Sequence, residues 1–261
     1  MKSVCLAKSI PLALLILAGS ALAQTAEPTS PLSFNVSLTS NYKFRGQDQN
    51  TSKTRAFKPA INAGVDYALD SGFYLGNWNS TIDWTQRGLP SGDNAKVEID
   101  LYGGYKFKVS DIQWDVGALQ YYYPGARGAN TTELYIGAAY GPLVAKYART
   151  ISKGYFGLGK EYLAGEGRNT SYLNVAFVQE VAAKTSFKAA IGYTNLKSAA
   201  NSAGAPDYLD YSLGAAYDLG DGFALNGAVI GGNNKSSYFY AIDPTKSVNK
   251  ATLVLTVTKA L

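Results

Sequence analysis

The stretch Val97-Glu98-Ile99-Asp100-Leu101-Tyr102-Gly103-Gly104-Tyr105-Lys106-Phe107 decides the fold class. Val97, Ile99, Leu101, Gly103, Tyr105 and Phe107 make one series, and Glu98, Asp100, Tyr102, Gly104 and Lys106 make the other. A period of two belongs to a β-strand, whose successive side chains point to opposite faces. Two carboxylates and a lysine on one face, against apolar residues on the other, suit a strand lying between a polar and an apolar medium. Its length also matches the roughly 9–11 residues with which a tilted strand crosses a bilayer.

The same pattern recurs outward from this segment. Phe34, Val36, Leu38, Tyr42 and Phe44 alternate with Asn35, Ser37, Thr39, Asn41 and Lys43, and Leu253, Leu255, Val257 and Leu261 are set against Thr252, Thr256 and Thr258, with Val254 the exception. About 12 such segments are expected, over 33–45, 58–70, 73–84, 96–108, 112–123, 131–140, 143–153, 171–182, 186–196, 208–218, 222–232 and 250–261. Their connections alternate in length. Asp70-Ser71-Gly72, Val109-Ser110-Asp111, Gly141-Pro142, Ala183-Lys184-Thr185 and Gly220-Asp221 are tight turns, and longer polar links lie between them. Short turns at one end and long loops at the other predict an all-β, antiparallel up-and-down transmembrane barrel with its short turns on the periplasmic side. Aromatic residues suggest two interfacial belts: Tyr67, Tyr74, Tyr105, Phe107, Trp114, Tyr140, Phe187, Tyr217 and Phe223 near the short turns, and Tyr42, Phe44, Trp84 and Tyr122 near the long loops. A soluble β-sandwich also alternates, but its polar face meets bulk water and is usually rich in lysine and other charges. Here that face carries Asn, Ser, Thr, Gly and carboxylates, which favours the barrel.

Composition removes much of enzymology. The chain has 261 residues, 20 tyrosines, 27 glycines and no histidine, and charged residues make up only 16%. Its one cysteine, Cys5, and its one methionine, Met1, stand at the start. Lys2 and Lys8, the apolar run Ile10 to Ala18 and Ala21-Leu22-Ala23 read as a signal peptide over 1–23, followed by a flexible segment over 24–32 and the barrel over 33–261. No apolar run after residue 24 is long enough for a spanning helix. The chain left after cleavage would have no thiol nucleophile, zinc-binding cysteine cluster, disulfide or histidine base. No enzyme and no cofactor is expected. Loss of Lys2 and Lys8 takes the net charge from +5 to +3, too small an excess to suggest a nucleic-acid partner.

Several stretches resemble the TorF family of proteobacterial porins: Ser40-Asn41-Tyr42-Lys43-Phe44-Arg45-Gly46-Gln47-Asp48-Gln49, Gly72-Phe73-Tyr74-Leu75-Gly76-Asn77-Trp78, Glu98 to Tyr105, Tyr121-Tyr122-Tyr123-Pro124-Gly125 and Glu133-Leu134-Tyr135. The resemblance covers the first half of the barrel well and the second half by pattern. It implies an outer-membrane porin and brings no catalytic or substrate-binding residues. Outer-membrane barrels usually end in Phe, whereas this sequence ends Thr258-Lys259-Ala260-Leu261, a weaker signal to the barrel-assembly machinery.

On this phasing the lumen receives Asp66, Asp83, Glu98, Asp100, Asp115, Glu133, Glu180 and Asp210, together with Lys43, Lys106, Lys146 and Lys188; Arg45 and Arg149 fall near the rim. Such charges either pair across the interior and close it or line a narrow aqueous path for small hydrophilic solutes. Two readings stay open: a porin with a mixed-charge lumen, and a closed outer-membrane barrel with a structural or surface-interaction role through its loops. Glu98 and Asp100 share a face at paired-carboxylate spacing, but their simpler role is to partner Lys43, Lys106 or Lys146. The long loops carry more cations than anions. Basic loops draw anionic solutes to a mouth or bind lipopolysaccharide phosphates beside the outer-membrane lipid.

Overall fold

A computed structural model describes residues 30–50, 57–88, 93–158, 166–196, 206–233 and 248–261. The expected signal peptide and most of the 24–32 segment lie outside the described residues.

The fold is a closed antiparallel barrel of 12 strands. In chain order these are β1 (Leu32–Thr39), β4 (Ala60–Ala68), β5 (Phe73–Thr81), β6 (Val97–Val109), β7 (Ile112–Tyr122), β8 (Thr131–Tyr140), β9 (Leu143–Thr150), β10 (Ser171–Ala182), β11 (Thr185–Asn195), β12 (Tyr208–Gly220), β13 (Phe223–Gly232) and β14 (Thr252–Ala260). Each strand pairs with its sequence neighbour in the barrel, and β1 closes onto β14 with Ser37 opposite Thr258 and Leu38 opposite Val257. Closure satisfies both edges of every strand, a requirement for a sheet surrounded by hydrocarbon. Two further strands, β2 (Lys43–Phe44) and β3 (Gln47–Asp48), form a small separate ribbon, and a single helical turn, α1 (Trp84–Gly88), follows β5.

The alternation has the expected result. Phe34, Leu38, Leu101, Leu213, Ile191 and Leu255 are exposed on the outer wall, while Glu98, Asp100, Leu119, Tyr121, Glu133 and Tyr172 are buried inside. An outer wall so apolar is solvated by lipid rather than water. Val254, the exception in the last strand's pattern, turns inward and packs with Ala228 and Ile230.

The interior is uneven. Over β5 to β8 it is filled with rings. Tyr42, Trp78, Tyr121, Tyr123 and Tyr135 belong to one buried cluster that includes Phe44, Trp84, Tyr155 and Phe156 toward the long-loop end. Rings this large need small partners on the wall. A Cβ added at Gly117 would collide with the Tyr135 hydroxyl and the Gly103 carbonyl, so Tyr135 lies in the space that glycine leaves. Over β9 to β13 many of the inward residues are instead small, Ala148, Ala176, Ala190, Ser212, Gly214 and Ala228, and a cavity remains between them and the larger Lys146, Tyr172, Lys188 and Ile230.

Three expectations are corrected. The first strand ends at Thr39, and residues 40–50 fold back into the barrel instead of continuing to residue 45. Tyr42 and Phe44 are therefore buried in the interior cluster, as is Trp84 at the start of α1, and the three form no belt; of the four rings expected at the long-loop interface, Tyr122 is the exposed one. Tyr74 also points inward, where its hydroxyl meets Asp115 and Tyr135. At the short-turn end, Tyr67, Tyr140, Tyr217 and Phe223 are exposed on the outer wall as expected.

Candidate lumen and its inner ribbon

The β2–β3 ribbon is a two-residue hairpin. Phe44 pairs with Gln47 across Arg45-Gly46, and both turn residues have positive φ, 47° and 75°. That is the geometry of a type I′ turn. Gly46 adopts it freely, and it has no room for a side chain: an added Cβ would stand 2.7 Å from Asp210 Cβ and 2.7 Å from the Gly231 carbonyl oxygen. Arg45 has no such freedom, because a positive φ is uncommon for residues other than Gly, Asn and Asp. Its contacts hold it there.

The Arg45 guanidinium donates to Glu133 Oε2 at 2.7 Å and to Tyr155 Oη at 3.2 Å. It also lies over the rings of Phe44 and Tyr172, 4.8 and 4.2 Å from their centroids. Both members of the Arg45–Glu133 pair are almost wholly buried, with side chains 4% and 2% exposed. The other arm of the ribbon is tied just as firmly. Lys43 Nζ donates to Asp48 at 2.8 Å and to the carbonyls of Val248 and Lys250, while the Asn41 amide donates to Asp48 at 2.7 Å. Burial pulls the Lys43 ammonium down and pushes the Asp48 carboxyl up, and their mutual attraction opposes both shifts. The ribbon is thus a charged segment held inside the barrel by ionic contacts.

The wall carboxylates have a shared pattern of partners. Glu98 accepts hydroxyls from Tyr42 and Tyr123, each at 2.6 Å; Asp115 accepts Tyr74 and Asp66 accepts Tyr102, both at 2.6 Å; Asp210 accepts Tyr172 at 3.1 Å. Inward tyrosines therefore do for these carboxylates what water would otherwise do. Asp100 is fully buried, and neither of its oxygens has a partner among the described residues. The expectation that Glu98 and Asp100 pair with lysines is corrected: tyrosine hydroxyls hold Glu98, and no lysine among the described residues forms an ion pair with Asp100.

The remaining candidates fall into place around this network. Lys106 stands opposite Asp115 in register, with Nζ 4.7 Å from the centre of the Tyr74 ring, and Lys146 Nζ lies 3.9 Å from the centre of the Tyr135 ring. Lys188 faces the cavity beside Ser186 and Ala190. Three candidates stand elsewhere than on a mid-barrel strand face. Lys43 is on the inner ribbon. Asp83 lies beyond the end of β5, where it pairs with Lys58 at the long-loop end. Glu180 is exposed beside the register shift that ends β10 at its short turn. Arg149, expected near the rim, is exposed and donates to the side chain of Asn169. Sequence reading placed Arg45 at the rim as well, and its role inside was missed. The signal available was Gly46 after Arg45, a turn position, and the loss of alternation beyond it, where Gln47-Asp48-Gln49-Asn50 is wholly polar.

The cavity measures about 100 Å³ and runs from Lys43, Arg45 and Gly46 along β9 to β13 to Ser186 and Ala216, beside the short turns. That is room for several waters. Among the described residues, no group of three acidic side chains is placed to hold a metal ion.

Comparison with known proteins agrees with this architecture. The solved structure described as the KdgM porin superposes with a TM-score of 0.51 at 8% identity, covering 88% of this chain and 96% of that one. The NanC porin superposes with a TM-score of 0.54 at 8% identity, covering 88% and 98%. A second KdgM structure, described as a complex with disordered oligogalacturonate, gives 0.51 at 7%, covering 87% and 97%. At these identities the likeness is one of fold. No curated protein matches the chain in sequence. One family model matches residues 23–261; its description carries neither the TorF name nor an activity. By that match, over the whole described barrel, the chain belongs to the family of bacterial proteins of unknown function called Gcw_chp.

Proposed function

We propose that the chain is an outer-membrane porin that passes small hydrophilic solutes by diffusion along the β9–β13 side of its lumen. Export by the 1–23 leader would precede insertion of residues 33–261, with the short turns on the periplasmic side and the long loops outside. The observation that carries this reading is the one-sided cavity. Alanines, glycines and serines, with Lys146, Lys188 and Asp210 among them and Val144, Val178 and Ile230 between, leave it open from the inner ribbon to the short turns, inside a wall whose other face is apolar. A purely structural barrel would gain stability by filling that space, as the β5–β8 side does. Exposed Lys96, Arg127, Lys153 and Arg168 at the long-loop end suit contact with lipopolysaccharide phosphates.

A closed barrel acting through its loops is the second reading, and one observation favours it: the ribbon and the aromatic cluster occupy the long-loop end of the lumen. Reconstitution separates the two. For a porin, folded protein in a planar bilayer gives discrete conductance steps, and proteoliposomes swell in small sugars. Correctly folded protein that gives neither steps nor swelling selects the closed barrel.

A further inference from the structure

Charge is segregated around the lumen. On the β4–β7 side, Asp66 and Asp115 each accept a tyrosine hydroxyl, and Lys106 stands directly across from Asp115. Four carboxylates on that side, Asp66, Glu98, Asp100 and Asp115, face one lysine, Lys106, and none of the five is in an ion pair among the described residues. The cavity side is different. Four cations, Lys43, Arg45, Lys146 and Lys188, line the cavity against two carboxylates, Glu133 and Asp210. Lys43 is paired with Asp48 and Arg45 with Glu133, while Asp210 holds the Tyr172 hydroxyl. Two ammonium groups are left over. Lys146 lies over the Tyr135 ring, and among the described residues neither Lys146 nor Lys188 has a carboxylate within ion-pair distance.

Their surroundings leave room for a guest. Lys188 is opposite Val178 on β10 and Gly214 on β12, with Ser186 and Ser212 nearby on the same wall. Lys146 and Lys188 flank β10, opposite its Asn174 and Val178, and all four residues line the same cavity. Glu133 and Asp115 act on Lys146 from beyond ion-pair distance, and a positive group in a narrow, low-dielectric passage with no carboxylate in contact attracts mobile anions and repels cations.

We infer that the β9–β11 wall is an anion-binding station, where Lys146 and Lys188 take the carboxylate or phosphate groups of small anionic solutes and the hydroxyls of Ser186 and Ser212 complete their hydration. The inference rests on the porin reading for its transport consequence, which is anion selectivity, but not for binding. The variant to test is Lys146→Gln/Lys188→Gln, checked for folding by heat-dependent gel mobility. If it does not fold, Lys188→Gln alone, which removes no hydrogen bond or ion pair among the described residues, is judged by the same criteria. Reversal potentials across a potassium chloride gradient should show a several-fold preference for chloride in the wild type, falling to near parity or reversing in the variant. In parallel, citrate titrated calorimetrically into detergent-solubilised barrel should bind the wild type, more weakly as salt rises, and fail to bind the variant. Conductance that favours cations, or a selectivity and citrate affinity unchanged in the variant, overturns the station and leaves the porin. Lysine-dependent citrate binding without conductance overturns the porin and leaves the station. Absence of both conductance and binding overturns both.

Discussion

Arg45→Met is expected to lower the unfolding free energy by about 3–5 kcal/mol, the cost of stranding one partner of a buried ion pair. The variant leaves Glu133 nearly solvent-free with one of its two oxygens, Oε1, already without a partner. It also removes the contact that keeps residue 45 at positive φ. The second variant, Arg45→Met/Glu133→Leu, should recover most of that loss, because an apolar pair of similar size replaces a buried ionic one at little net cost. Urea unfolding in lipid vesicles measures both. The single variant should also conduct more than the wild type, since the ribbon is freed from β8. A loss below about 1 kcal/mol would put the pair in the class of exposed surface ion pairs and refute its role as a clasp.

The next largest effect concerns the wall. Leu213 and Ser212 are consecutive in β12, but Leu213 is exposed on the outside, between Ala189 and Val229 in register, while Ser212 lines the cavity two residues from Asp210. Leu213→Arg should cost about 2–4 kcal/mol of insertion free energy, the price of an arginine facing lipid near the midplane. Ser212→Arg, with water and a carboxylate within reach, should cost much less. The folded fraction in vesicles, read by heat-dependent gel mobility, gives the ratio. Equal damage at the two positions would mean that the inner and outer faces have been exchanged.

The barrel was legible because its signal is repeated. The alternation in Val97 to Val109 recurs strand after strand, and the tight turns at Asp70-Ser71-Gly72, Gly141-Pro142 and Gly220-Asp221 all fall at one end. What could not be read is which apolar medium a ring faces. Phe34 and Phe44 carry the same phase in sequence, yet one is exposed on the outer wall and the other lies at 5.5 Å from Tyr121 inside. A period of two reports alternate faces and is silent about whether the apolar one meets lipid or other rings. Tyr74 was misassigned for a different reason: its neighbours Phe73 and Leu75 carry the outward phase, so alternation itself puts Tyr74 inside.

The candidate site was legible as an inventory of inward charges and not as a set of partners. Arg45 and Glu133 are 88 residues apart, and only barrel closure and the inturned ribbon bring them to 2.7 Å. The tyrosine hydroxyls that hold Glu98, Asp66 and Asp115 come from other strands or from the loops. From sequence the lining is mixed in sign; in the closed register most of its carboxylates, Asp66, Glu98, Asp100, Asp115 and Glu133, lie on β4 to β8, and Lys146 and Lys188 lie on β9 and β11 beside the cavity.

The proposal of a hydrated passage beside the ribbon is tested most directly by thiol accessibility at two adjacent residues of β11. Ala190 lines the cavity, and Ile191 is exposed on the outer wall. With Cys5, the chain's one cysteine, replaced by serine, Ala190→Cys and Ile191→Cys are reconstituted in vesicles and treated with a charged, membrane-impermeant methanethiosulfonate. Ala190→Cys should react rapidly from the aqueous phase and Ile191→Cys should stay unmodified in lipid. An inert Ala190→Cys, or a reactive Ile191→Cys, would contradict a hydrated route on that side of the barrel.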